Sequence, residues 1–248
     1  MKGIVFSSPG PYREINEDGL LLGELIMDQD LLTPELRETG PQTLVAVADG
    51  MGGGPGGREA AFLVLTKLSE LNHKPSLAVE PKLLLQNLKE AALALTMVAK
   101  RNPTLQSMGS AVAGLWLDGA RALAFNCGDS RVYRNRGGFF ELLTQDHSLV
   151  YELYLNGQIS EEAMARHPLK NILTSCVQDN PEEPRIFIRE IAIKEGDSFL
   201  LCSDGVWESA SRAELEELAS LGPMAGSQIL ATTLGKKALD NFTFVWLY

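Results

Sequence analysis

The segment SAVAGLWLDGARALAFNCGDSRVYRNRGGFFELL (Ser110–Leu143) decides the fold class. It divides into four short runs, SAVAGLWLDG, RALAFNCGD, SRVYRNRGG and FFELL, with tight-turn signals at Asp118-Gly119 and Gly137-Gly138. Turns this tight join antiparallel strands, because a parallel crossover needs roughly a dozen residues. The segment predicts a β-meander.

Working outward, TLVAVAD (Thr43–Asp49) predicts a central strand, since an unbroken apolar run suits burial on both faces. A glycine-rich turn, MGGGPGG, leads from it into REAAFLVLTKLSEL, whose apolar residues recur at helical spacing. PKLLLQNLKEAALALTMVAKR (Pro81–Arg101) predicts the longest helix, with proline at its start and basic residues in its last turn. GIVFSS (Gly3–Ser8) and LLLGELIM (Leu20–Met27) predict a pair of strands, and the polar stretch 28–42, with Pro34 and Pro41, predicts a loop. RIFIREIAI, DSFLLCSD and the final FTFVWLY predict further strands. Helical stretches over 213–221 and 224–239 precede the last of them. Residues 144–184 are irregular, and a forty-residue irregular segment in a compact domain is usually functional, for example a lid. Strands interrupted by paired helices, rather than a steady β-α-β alternation, predict an α+β fold: an antiparallel sandwich covered by helices. At 248 residues, one domain over 1–248 accounts for the chain.

The charge balance narrows the function. A net charge of −10 argues against a nucleic-acid groove, which requires a basic stripe, and against an anionic membrane surface. No stretch approaches the roughly 18 apolar residues of a membrane span, and the MKGIVFSSPG start is too short in apolar residues for a secretory signal. Cys127, Cys176 and Cys202 are widely spaced, with no CxxC, and predict buried reduced thiols in a reducing cytosol. The expected location is cytoplasmic.

Within this pattern the acidic residues stand out. LVAVADG ends at Asp49, ALAFNCGD at Asp129 and FLLCSDG at Asp204, while Asp240 precedes the last strand and REINED supplies Arg13, Glu17 and Asp18. One Asp-Gly at a strand end reads as a turn. Several carboxylates gathered at strand ends repel one another in low dielectric and call for a counter-charge. Hard divalent cations, whose ligands are carboxylate, carbonyl and water oxygens, supply it economically. His73, His147 and His167 are scattered and do not have zinc-site spacing. Gly52, Gly54 and Gly57 match GxGxxG, but Asp49 at the mouth of the loop would repel a pyrophosphate, and no Lys-Ser/Thr follows to make a P-loop. The glycines instead let the backbone bend so that a carbonyl such as that of Gly50 can face a metal. Arg13 is suited to gripping a phosphate bidentately. Ser130 and Ser203 lack a histidine or a GxSxG elbow and read as hydrogen-bond donors behind the acids rather than nucleophiles.

These residues fall in an ordered series that is highly specific: RxxNED (Arg13–Asp18), VAVADGMGG (Val45–Gly53), MGSA (Met108–Ala111) and NCGDSRVY (Asn126–Tyr133). LTQDHS (Leu143–Ser148), GDSFLLCSDGVWE (Gly196–Glu208) and DNFTFVW (Asp240–Trp246) complete it. The chain resembles the PP2C-type (PPM family) metal-dependent serine/threonine phosphatases, particularly their compact bacterial members. The resemblance implies a four-layer α-β-β-α sandwich, two antiparallel sheets flanked by helix pairs, with a flap at about 148–184. It implies two Mn²⁺ or Mg²⁺ ions: Asp49 bridging both, the Gly50 carbonyl on one, Asp204 and Asp240 on the other, and Glu17 and Asp18 acting directly or through water. Arg13 would hold the substrate phosphate, and Asp129 with Glu208 would hold a third ion. The implied reaction is in-line attack by a metal-bridging water or hydroxide on phosphoserine and phosphothreonine, opposing a bacterial Ser/Thr kinase, by a monomer acting on phosphoproteins. The departures from family pattern are Gly54 in place of His, Met51 where eukaryotic members carry His, and Glu208 in place of Asp. The rival readings are a catalytically silent binding module on the same fold and a partner-switching phosphatase of an anti-anti-sigma protein.

Overall fold

The computed structural model describes residues 1–40, 42–52, 55–72, 79–164, 166–179 and 183–248. Pro41, Gly53, Gly54 and His73, and with them the centre of the expected glycine turn, lie outside the described residues. The elements, in chain order, are β1 (Lys2–Ser8), β2 (Gly19–Leu22), β3 (Leu25–Met27), β4 (Glu35–Glu38), β5 (Gln42–Met51), α1 (Pro55–Ser69) and α2 (Pro81–Arg101). There follow β6 (Gly109–Asp118), β7 (Arg121–Cys127), β8 (Arg131–Arg136), β9 (Phe139–Leu142), α3 (Leu149–Leu155), α4 (Glu161–Met164) and β10 (Val177–Gln178). The chain closes with β11 (Phe187–Ala192), β12 (Ser198–Cys202), α5 (Asp204–Trp207), α6 (Arg212–Ser220), α7 (Pro223–Lys237) and β13 (Phe242–Leu247).

Among the described residues the strands form two antiparallel sheets. One runs β4-β1-β13-β12-β8-β9, and the other β11-β7-β6-β5-β2-β3, with β10 added beside β6. The expected α-β-β-α layering follows from how the side chains alternate. In β5, Val45 and Val47 face the other sheet, while Leu44, Ala46 and Ala48 pack with Val64, Leu65, Leu88 and Leu95 of α1 and α2. In β12 and β13, Phe199, Leu201 and Val245 fill the space between the sheets, whereas Leu200, Phe244 and Trp246 meet Leu215, Leu230 and Leu234 of α6 and α7. Strand side chains alternate faces, so a sheet buried on both sides reads as a continuous apolar run. α2 begins at Pro81 and ends in Lys100 and Arg101, as expected, and a capping box between Ser211 and Glu214 starts α6.

Three sequence expectations change. Gly3–Ser8 does not pair with Leu20–Met27: β1 lies between β13 and β4, and β2 and β3 form a hairpin in the other sheet, folded at Gly23 (φ 64°). The expected loop over 28–42 contains β4, a short exposed edge strand directly after Pro34, a position that strand edges tolerate. The meander is split: β6 and β7 pair in one sheet, β8 and β9 in the other, and Gly128–Ser130 crosses between them. Two crossings, at 9–18 and at 128–130, therefore carry acidic residues across one end of the sandwich. Within 144–184, α3, α4 and β10 are short, a bridge between Ser148 and Leu173 closes the segment on itself, and the His147 N–H donates to the Gly128 carbonyl at 2.8 Å.

Candidate metal centre

Register brings the strand-end acids together. Gly19 pairs with Ala48, so Asp18 and Asp49 meet where β2 begins and β5 ends. Cys202 pairs with Phe244, so Asp204, just after β12, and Asp240, just before β13, lie at the same end of the opposite sheet. Asp129 rides the crossing from β7 to β8. Five acids from remote parts of the sequence thus share one corner.

Their charges are not neutralised by one another. Asp18 is 1% exposed, and burial, with the charges of Asp204 and Asp240, pushes its carboxyl up to about 8, although the Ser203 and Thr243 hydroxyls favour its charged form. Asp49 is pushed well above the usual range by burial and then by Asp204, Asp18 and Asp129. Asp204 is pushed up to about 7 by burial, Glu208 and Asp240, and its carboxyl is in hydrogen-bond contact with that of Asp49. Asp129 rises through burial and the charges of Asp204 and Asp146. Glu17 rises through burial, with Arg13 opposing the shift. Burial and like-charge repulsion of this kind are how functional sites shift the pKa values of their acids.

The backbone that carries these acids is held by polar side chains whose roles sequence reasoning missed. Ser203 donates to Asp18 Oδ2 at 2.7 Å and accepts from the Thr243 N–H at 3.0 Å. Asn16 Oδ1 accepts from the Asp18 N–H, and its amide donates to Ser7 and Asp30. Asn241 Oδ1 accepts from the Glu17 N–H at 2.9 Å, and its amide donates to the Pro9 and Ile15 carbonyls. Both asparagines stood inside the quoted motifs, and an amide that both donates and accepts is the signal that identifies a loop clasp. Arg131 makes three hydrogen bonds to Asp146, at 2.6–3.1 Å, stacks 3.7 Å over Trp207 and donates to the Tyr133 hydroxyl. The Trp207 indole N–H in turn holds the Asp129 carbonyl at 3.0 Å. Gly50 fits because a Cβ there would stand 2.6 Å from the Glu17 carbonyl and strike the Gly57 carbonyl at the start of α1.

The expected partners of the acids are placed unevenly. Ser203 is the donor expected of it, whereas the Ser130 hydroxyl is buried without a hydrogen-bond partner among the described residues. Arg13 reaches the corner and pairs with Asp240 at 2.7 Å, with both side chains substantially exposed. Glu208 stands on the wall of a recess of about 700 Å³ lined also by Arg131, Arg166, Trp207 and Arg212, and it pairs with Lys170.

The donor set fits hard cations. Glu17 Oε1, Asp18 Oδ1 and Asp204 Oδ1 are buried without partners among the described residues, so the corner offers carboxylate oxygens of the kind hard cations take. No three described His, Cys, Asp or Glu side chains already close into a cage around one point. Ions of the Mg²⁺ type do not require one, because they keep several waters and take one or two carboxylates each.

A family model described as Protein phosphatase 2C matches residues 26–242. The chain is 33% identical over 182 residues to a serine/threonine phosphatase, stp, of Listeria innocua, covering 71% of each protein. A solved serine/threonine phosphatase of S. agalactiae superposes with a TM-score of 0.84 at 25% identity, covering 100% of this chain and 99% of that one. The catalytic domain of the phosphatase PstP, solved in complex with two manganese ions, superposes with a TM-score of 0.77 at 26% identity, covering 99% of this chain and 98% of that one.

Proposed function

This chain belongs to the protein phosphatase 2C family, and from that premise we propose that it is a metal-dependent phosphatase of phosphoserine and phosphothreonine in proteins. The observation that carries the reading is the corner of mutually repelling acids with orphaned oxygens at Glu17, Asp18 and Asp204, which favours a pair of divalent cations. Asp49 would bridge two Mn²⁺ or Mg²⁺ ions, with the Gly50 carbonyl on one, Asp204 and Asp240 on the other, and Glu17 and Asp18 joined directly or through water. When bound, the ions would lower the pKa of a water nucleophile and offset charge on the transferring phosphoryl group.

The protein's own groups then have distinct tasks. Arg13 grips the substrate phosphate. Its pairing with Asp240 is exposed and contributes about 0–1 kcal/mol, so it releases readily. Ser203 and Asn16 fix the Asp18 carboxylate and backbone, and Asn241 fixes Glu17, so the acids face the corner without reorganising. The segment 148–184 acts as a flap beside the site. Residues 1–248 work as one catalytic unit, as a monomer, against the targets of a bacterial-type Ser/Thr kinase. A cytoplasmic setting is supported by three buried free thiols, and no described helix is long and apolar enough to cross a membrane.

The test is phosphate release from a phosphothreonine peptide. Release with Mn²⁺ and its loss in EDTA are expected. A well-folded protein that binds Mn²⁺ but releases no phosphate would favour the silent binding module instead.

A further inference from the structure

The corner formed by Asp129, Asp204 and Glu208 contains a cation that sequence reasoning did not place there. Lys170 lies in the irregular segment between α4 and β10, far from α5 in the chain, and its ammonium pairs with the Glu208 carboxylate. Both side chains are largely covered, at 26% and 12% exposure, so this pair is less screened than a surface contact. Glu208 closes α5, donating its N–H to the Asp204 carbonyl at 2.8 Å, and the Lys170 charge also favours the ionised form of Asp204. Trp207, between them in sequence, holds the Asp129 backbone. The cation that acts on Asp129, Arg131, is committed to Asp146. The Lys170 segment is itself anchored just downstream: the Leu149 N–H donates to the Ile172 carbonyl and the Thr174 N–H to the His147 carbonyl.

We propose that the Lys170 ammonium is the built-in counter-ion of Asp204 and Glu208 in this corner, filling the place of a third divalent ion and latching the stretch 166–179 onto the end of α5. The inference rests on the two-ion reading above and concerns a positioning residue outside that pair. A third ion would have to displace a positive charge that is covalently attached to the chain. Removing that charge should strengthen binding of a third ion by an order of magnitude or more, since charges a few ångströms apart near a protein surface interact strongly.

Equilibrium dialysis of the full chain in millimolar Mn²⁺, with metal counted per chain, tests this on wild type, Lys170→Met and the charge-conserving Lys170→Arg. Hydrogen exchange over 149–172 is followed in parallel, and circular dichroism verifies folding. Two ions in wild type and Lys170→Arg, three in Lys170→Met, and faster exchange in Lys170→Met are expected. Three ions in wild type, or two in Lys170→Met, would overturn the proposal while leaving the two-ion reading intact. Fewer than two in wild type would overturn that reading and the latch with it.

Discussion

Removing divalent ions should make stability fall as pH rises, an inversion that the buried acids impose. A carboxyl whose folded pKa is raised stabilises the protein while it holds its proton, and that stability is lost as pH climbs through the folded value. For Asp18, buried and pushed up to about 8 from an ordinary 3.8, the loss between pH 6.5 and 8 is about 2 kcal/mol, at about 1.4 kcal/mol per pH unit of proton difference. Asp49 and Asp129, also raised, act in the same direction. His147, held below its usual value, acts with the opposite sign, but only up to the pH where an unfolded imidazole loses its proton, about 6.5. For a chain of this size about 2 kcal/mol corresponds to a Tm lower by roughly 4–8 °C. The assay is thermal melting in EDTA across pH 6.5–8, repeated in Mn²⁺. With Mn²⁺ the slope should flatten or reverse, because metal binding requires ionised ligands and strengthens as they lose protons. A Tm in EDTA that is level or rises over this window would refute the reasoning that burial and mutual repulsion raise these acids.

Three further predictions concern the scaffold. Asp146→Ala should cost about 3–5 kcal/mol in urea unfolding by leaving the Arg131 guanidinium buried and unpaired, and the Arg131→Leu, Asp146→Leu double variant should cost less than the single one; equal or additive losses would contradict this. Asn241→Ala removes three hydrogen bonds worth about 1 kcal/mol each and should lower stability by about 2–3 kcal/mol while raising the Mn²⁺ concentration needed for half-maximal turnover. Gly50→Ala drives a methyl into the Gly57 and Glu17 backbones, so Mn²⁺-dependent turnover should collapse with the sheet signal in circular dichroism retained; near-normal turnover would show that the turn can yield.

The layers and the acids were legible because each leaves a local trace. A strand buried on both faces is an unbroken apolar run, as in Leu44–Ala48, and an aspartate closing such a run is visible in one dimension. The sheet assignments were not legible. A turn within one sheet and a crossing between two have the same local chemistry, so Gly128-Asp129 read as part of a meander and Gly3–Ser8 was paired with the wrong strand. Those crossings carry Asp129 and the Arg13–Asp18 loop over the end of the sandwich, so the arrangement that makes the site was the part hidden from the sequence. Lys170 was hidden for a related reason: its partner lies 38 positions away, across an irregular segment with no periodicity to register it. Asn16 and Asn241 were seen as motif letters, and only their hydrogen bonds give them a task.

The central claim is that this corner holds a pair of divalent ions around Asp49. Anomalous scattering at the manganese edge from crystals grown with Mn²⁺ tests it most directly. Two peaks flanking the Asp49 carboxylate, one beside the Gly50 carbonyl and the other beside Asp204 and Asp240, are predicted. A fully occupied peak elsewhere with none at Asp49, or no peak at all in protein that turns over substrate, would contradict it.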